Sequence, residues 1–275
     1  MATAVEKLPC PDCNSRQSLQ VFLNRDEALG LDFYSSFCFS ECWEAKGDPY
    51  NGGPAPEVYV KTKEDIANEL KTAKSCPIFN LRSNYRGIPI EYFKSWGCRQ
   101  FLSEFDGTTP YAIGFPLSLE GELVGWKARP LRKKDFFGIG KTSGVDPFGL
   151  ERAWPLATDT LWITEGEFDA IALDYCMTLV GKSKMYPVIS LSHGGGSINK
   201  NLSLIRDRLI KRKIKNLVLV LDDDEVGKLA EKAALRLWDN VYIVSKPGLA
   251  KDANDAVLFG YEIEMGKLAL GFKND

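Results

Sequence analysis

No apolar run in this chain of 275 residues approaches the roughly 18 residues of a membrane-spanning helix, so no transmembrane segment is expected. Met1 to Pro9 carries Glu6 and Lys7 and lacks an apolar core, so no signal peptide is expected either. Internal repeats and low-complexity tracts are absent. Histidine is almost missing: His193 is the only one. There is no Walker A loop. Gly138-Ile139-Gly140-Lys141-Thr142 has the look of its second half, but Asp135 stands where the first glycine is required, which excludes a P-loop motor. Net charge is only −2, which counts against a protein that binds nucleic acid by overall charge. Seven cysteines make an odd number, and four fall in short pairs. That pattern suits a reducing, cytoplasmic compartment with metal ligation better than a disulfide framework.

What is there suits about two domains, and a hydrophobic content of 44% can fill a sizeable core. Residues 1–45 hold Cys10-Pro11-Asp12-Cys13 and Cys38-Phe39-Ser40-Glu41-Cys42. Four thiolates can close a tetrahedral zinc site, and a ribbon this small would draw its folding energy from the metal. A breaker-rich stretch, Gly47, Pro49, Gly52, Gly53, Pro54 and Pro56, reads as a linker over 46–63. An α+β subdomain is expected over 64–157. It has a helical pattern at 64–74 and a β-hairpin formed by 111–117 and 123–129 around Glu120-Gly121. Over 158–262 strands near 160–164, 187–191, 216–221 and 240–244 alternate with helices near 168–176, 202–213 and 227–238. Such alternation indicates an α/β domain with a mostly parallel four-stranded sheet and flanking helices. Residues 263–275 are left as a tail. Cys76, Cys98 and Cys176 are expected to pack as inert residues.

Two of those strands end in acids. Leu161-Trp162-Ile163-Thr164 runs into Glu165-Gly166-Glu167-Phe168-Asp169, and Leu217-Val218-Leu219-Val220-Leu221 runs into Asp222-Asp223-Asp224-Glu225. Both clusters are placed at the carboxyl edge of one sheet, where open α/β folds bind ligands. Two unit charges about 4 Å apart cost roughly 4 kcal/mol at an effective dielectric of about 20. A divalent cation removes that cost, and Mg²⁺ takes a few carboxylates together with phosphate oxygens. An aspartate at a strand–helix junction is also an ordinary N-cap. The recurrence of the pattern at two junctions favours metal and phosphoryl-transfer chemistry.

Glu165-Gly166-Glu167 with Asp222-Asp223-Asp224 resembles the Toprim domain of primases and topoisomerases. Val188 to Gly194, Lys251-Asp252-Ala253-Asn254-Asp255, Arg86-Gly87-Ile88 and the Gly121 hairpin leading to Lys127 are similar to segments in the primase half of bacteriophage primase–helicases. The resemblance runs from Cys10 to about Gly260. It implies a DNA primase that makes short RNA primers from ribonucleoside triphosphates on single-stranded DNA, with a replicative helicase and a DNA polymerase as partners. The setting would be a bacterial host's cytoplasm if the chain is phage-encoded. The resemblance implies that Glu165, Asp222 and Asp252 lie nearest Mg²⁺ or Mn²⁺, with two ions, and that Asp224 and Asp169 are further acidic positions. Lys127 matches a nucleotide-contacting lysine, and Arg129 and His193 are further candidates for nucleotide or phosphate. One structural Zn²⁺ on Cys10, Cys13, Cys38 and Cys42 would help read the template. The second pair has three intervening residues where that family usually has two. The family's second lysine is missing from Asp135-Phe136-Phe137-Gly138, leaving Lys133, Lys134 or Lys141 as substitutes.

Other readings remain open at this stage. A non-catalytic recombination-mediator clamp also joins four cysteines to a Toprim domain, but carries a helix–hairpin–helix segment and lacks the hairpin lysine. A Toprim nuclease would degrade DNA. A topoisomerase fits least, because no tyrosine stands out as a nucleophile. The basic residues Arg206, Arg208, Lys211, Arg212, Lys213 and Lys215, opposite Leu202, Ile205 and Leu209, read as a solvated helix face.

Overall fold

Strands that are apolar on both faces, and strands that alternate, separate the second half of this chain from the first. A computed structural model describes residues 3–10, 16–17, 19–26, 31–38, 62–73, 75–77, 84–103, 106–132, 135–191 and 198–272. The chain divides into two units, Met1–Val60 and Lys61–Asp275.

In the first unit β1 (Thr3–Leu8), β2 (Leu19–Asp26) and β3 (Leu31–Cys38) form an antiparallel sheet in that order. Cys10 and Cys38 are buried together with Leu19, and Leu8 packs against them. Cys13 and Cys42 lie outside the described residues.

The second unit begins with α1 (Lys63–Thr72), started by a reciprocal capping box between Thr62 and Asp65. Next come β4 (Ser75–Pro77), the hairpin of β5 (Asn84–Tyr85) and β6 (Ile88–Pro89), α2 (Ile90–Ser95) and β7 (Arg99–Leu102). They lead into β8 (Pro110–Leu119), β9 (Glu122–Pro130) and β10 (Phe137–Gly140). The antiparallel sheet runs β10-β9-β8-β7-β4. Side chains alternate across it. Ala112, Trp126 and Ala128 cover one face together with Phe101 and α1 residue Leu70. Ile113 and Phe115 enter the main core on the other. Phe115 pairs with Lys127 and Ile113 with Arg129, so both cations share the inner face. Gly125 is required where β9 pairs with the end of β10, since a Cβ there would lie 2.2 Å from the Lys141 carbonyl.

After α3 (Leu150–Ala153), β11 (Thr160–Thr164), α4 (Glu167–Val180), β12 (Val188–Ser190), α5 (Ile198–Lys211), β13 (Asn216–Val220), α6 (Glu225–Leu237) and β14 (Asn240–Ile243) alternate. The helices α7 (Ala253–Leu258) and α8 (Glu262–Leu270) follow. The sheet is parallel throughout, in the order β12-β11-β13-β14. Trp162, Val218 and Val220 face α4, α7 and α8. Leu161, Ile163, Leu217 and Leu219 face α5 and α6. The expected hairpin and the expected strands and helices over 160–244 are all present, with α4 continuing to Val180 and α5 beginning at Ile198. No helix among the described residues is long and apolar enough to cross a membrane.

A buried ion pair fastens α3 to α4. The Arg152 guanidinium donates to Asp174 Oδ2 at 2.6 Å and to the Tyr186 carbonyl at 3.1 Å, and lies 4.6 Å over the Trp96 ring. Trp96 Nε1–H and the Tyr186 N–H also donate to Asp174. Asp174 is fully buried, and burial pushes its carboxyl above the usual range despite these partners. Arg208 is not on a solvated face: it pairs with buried Asp146, and both Arg208 and Arg212 lie over Trp154. Removing Arg152 would strand Asp174 as a buried charge, a change that typically costs about 3–5 kcal/mol. Urea denaturation of Arg152→Ala is expected to show a loss of that order, and Arg152→Met with Asp174→Leu to recover much of it.

Candidate active site

Thr164 and Val220 are paired neighbours at the carboxyl ends of β11 and β13. From there α4 leaves to one face of the sheet and α6 to the other. The divergence opens the crevice in which doubly wound folds bind ligands. The acids are delivered into it. Asp169 comes from the first turn of α4, Asp222 from the loop after β13, and Asp252 from the N-cap of α7. One carboxylate oxygen of each lies within 4.8 Å of the other two.

The backbone is shaped to permit this crowding. A Cβ on Gly166 would lie 2.8 Å from Asp169 Oδ2, and one on Gly227 would lie 2.1 Å from the Asp222 carbonyl. Asp224 caps α6 by accepting the Gly227 N–H at 2.8 Å, and Asp252 caps α7 by accepting the Asp255 N–H at 2.6 Å. Asp252 therefore serves as both cap and cluster member, whereas Asp224 stands outside the close trio. Glu165 also stands outside it, but its charge acts on Asp222, and its Oε2 is buried with no hydrogen-bond partner among the described residues.

Burial, followed by the charges of Glu165, Asp252 and Asp224, pushes the Asp222 carboxyl up to about 7, while Lys246 pulls the other way. Burial, then Asp252, holds Asp169 well above the ordinary carboxylate range. An all-oxygen donor set without Cys or His fits a hard divalent cation, and the repulsion within it is what such an ion relieves.

Cations line the other side. Lys127 Nζ donates to Glu167 Oε1 at 2.8 Å and lies 4.5 Å from the centre of the Phe136 ring. Arg129 lies between the Phe136 and Phe168 rings, and Arg86 lies 4.6 Å over Phe168. Burial, and then Arg86, lower the pKa of Arg129. The Arg86–Gly87 turn, with both residues at positive φ, is held against α7 by Asn254 Nδ2–H donating to the Arg86 carbonyl at 2.9 Å. The Asn254 N–H donates to Asp169 Oδ1 at 3.1 Å. Lys246, just past β14, donates to the Leu221 carbonyl at 2.5 Å.

The sequence marks Arg86 and Asn254 only as parts of flanking segments and Glu167 only as a member of the first acidic motif, and it does not single out Lys246. Its one usable signal was position, since Lys246 follows the carboxyl end of a strand. His193 and the glycines after it lie outside the described residues, as do Lys133 and Lys134. Lys141 follows β10, its N–H bonded to the Val124 carbonyl.

Residues 162–257 match the family described as Toprim-like. No curated protein matches the chain's sequence. The crystal structure of the primase fragment of the bacteriophage T7 primase-helicase superposes with a TM-score of 0.59 at 20% identity, covering 97% of this chain and 99% of that one. The bacteriophage T7 lagging-strand DNA polymerase has been solved with primase domains of two gp4 subunits bound to an RNA/DNA hybrid and dTTP. That structure matches with a TM-score of 0.58 at 22% identity, over 73% of this chain and 94% of that one. The parallel sheet and its helices are thus a Toprim domain, preceded by an α+β region, in the fold of a phage primase fragment.

Below about pH 7 the native state keeps a proton on Asp222 that the unfolded chain gives up near pH 4. Without metal, stability is therefore expected to fall as pH rises from about 4 to about 7. Asp222→Asn should melt higher than the parent in EDTA and lose the rise in melting temperature on adding Mg²⁺. For the parent, Mg²⁺ at about 100 times its Kd is worth roughly 2.7 kcal/mol. Mg²⁺ affinity by calorimetry should be weaker at pH 6 than at pH 8, with protons released on binding.

Proposed function

We propose that this chain is a DNA primase: it makes short RNA primers from ribonucleoside triphosphates on a single-stranded DNA template. The observation that carries the reading is the meeting of Asp169, Asp222 and Asp252 at the switch point of a Toprim sheet. Lys127 and Arg129 stand near them on the inner face of a second sheet. That combination supports polymerisation over a clamp role, because a clamp has no use for cations presented toward an acidic cluster. The fold shared with a phage primase fragment supports it further.

Asp169, Asp222 and Asp252 would hold Mg²⁺ or Mn²⁺, with Glu165 available to a second ion. The bound ions supply charge neutralisation at the reacting phosphate. In the reaction, the 3′-hydroxyl oxygen bonds to the α-phosphorus, the bond from that phosphorus to pyrophosphate breaks, and the hydroxyl proton passes to Glu165. Lys127 and Arg129 meet the negative charge of the polyphosphate, and Arg86 stands behind them. Little covalent help is needed, so positioning and electrostatics carry the rate. Cys10, Cys13, Cys38 and Cys42 would hold one Zn²⁺, in a unit that would help read the template. A replicative helicase and a DNA polymerase are the expected partners, in the cytoplasm.

Incorporation of labelled ribonucleotides on single-stranded DNA with Mg²⁺ or Mn²⁺ tests the reading. Glu165→Gln and Asp222→Asn should each lower synthesis by about 100-fold or more, the scale at which acid–base and charge-stabilising groups act, while the proteins stay folded. Full synthesis in both variants would refute the assignment. Zinc analysis is expected to find about one ion per chain, as a single four-cysteine site requires, and Cys13→Ser and Cys42→Ser to lose it.

A further inference from the structure

Aromatic rings and cations alternate in a line beside the acidic cluster. Arg86 lies 4.6 Å over the Phe168 ring, and Arg129 lies 5.3 Å from the centre of that same ring. Arg129 is also 5.2 Å from Phe136, over which Lys127 sits at 4.5 Å. The line begins inside the molecule, because Phe168 is buried in the main core and directly precedes Asp169. It ends in the open, because Phe136 remains 42% exposed.

The inner steps have an evident structural purpose. Phe168 packs edge-on against Phe93 and Phe115 and belongs to the core. Phe136 belongs to no core cluster among the described residues, and it precedes β10 rather than standing in it. An exposed phenylalanine adds little to folding while its ring stays in water. Here two cations lie within 4.5 and 5.2 Å of its ring centre, next to a site of phosphate chemistry. A ligand that continues this line must be flat and aromatic, to stack on the ring, and must carry negative charge, to suit Lys127 and Arg129.

We propose that Phe136 is a stacking platform for a nucleobase whose phosphates are met by Lys127 and Arg129. The inference deepens the proposed nucleotide chemistry of this site and rests on it. The base belongs either to a free nucleoside triphosphate or to a single strand of DNA. Base–aromatic stacking tolerates any base, since each presents a π-face. The platform is therefore expected to position bases without choosing among them.

The test compares the parent with Phe136→Ala and Phe136→Trp in the presence of Mg²⁺. The probes are ATP, sodium tripolyphosphate and a single-stranded oligothymidylate. Phe136→Ala should weaken ATP or oligonucleotide binding by roughly 5- to 150-fold, the range that one base–aromatic stack carries. Its tripolyphosphate affinity should be unchanged, which also shows that the variant is folded. Loss confined to ATP assigns the base to the free nucleotide, and loss confined to the oligonucleotide assigns it to the strand. The indole emission added by Phe136→Trp should be quenched by the base-bearing ligand and not by tripolyphosphate. Phe259→Ala, an exposed phenylalanine at the end of α7, serves as the control and should change nothing. Unchanged binding of both ATP and oligonucleotide in Phe136→Ala would overturn the platform even if the parent makes primers. Weakened base binding in a protein that makes no primers would keep the platform and refute the primase reading.

Discussion

Like-charge repulsion at the carboxyl edge of the parallel sheet is the constraint around which the second unit is built. Asp169, Asp222 and Asp252 are held within reach of one ion, with the charge of Glu165 beside them. Nothing in their own chemistry favours this arrangement in the absence of a cation. The rest of the unit supplies the restraint. Continuous apolar strands β11 and β13 fix the two loops in register, and α4 and α7 are anchored in a core that includes Phe168, Ala253 and Val257. The strain appears as carboxyl groups pushed upward in pKa, a pattern typical of sites that bind or react.

The helix ends show how one residue answers two demands. Asp224 and Asp252 both cap helices, so the ordinary structural reading of a strand-end aspartate holds for each. For Asp252 the cap also aims the side chain, because accepting the Asp255 N–H orients the carboxylate that joins the cluster. Capping and metal binding are alternatives in a sequence and partners in a structure. The same economy appears at Asn254, which ties Asp169 to the Arg86 turn.

Much of this was legible in the sequence. The runs at 160–164 and 216–221 have no polar interruption, so both strands and the acids after them could be placed. The hairpin carrying Lys127 showed itself by alternation and by Glu120-Gly121. Features that depend on partners distant in sequence were not legible. Arg208 and Arg212 look like a wet basic stripe because Asp146 and Trp154 lie about 60 residues away in the chain. Which acids meet also depends on where α4 starts. By beginning at Glu167, the helix places Asp169 in its first turn and brings it to Asp222 and Asp252. Spacing alone gives Glu165 and Asp169 equal standing.

The positive side of the site is arranged by a different interaction from the negative side. Had Arg86 and Arg129 been placed by ion pairs with Asp169, Asp222 or Asp252, each charge would have cancelled its partner, leaving the site blunted toward both metal and phosphate. Among the described residues no such ion pair exists, and the two guanidiniums lie over Phe168 and Phe136 instead. Stacking fixes a guanidinium in place without neutralising it, since the ring offers only a quadrupole. Lys127 is the exception, paired to buried Glu167. A lysine is a flexible point charge, and it needs a partner to hold the position that a planar guanidinium gains from a ring. Separated charges of both signs are costly to keep. They are what the proposed reaction between a metal-bound polyphosphate and a hydroxyl would require, and on that reading the cost gives a physical reason for the aromatic residues at this edge of the fold.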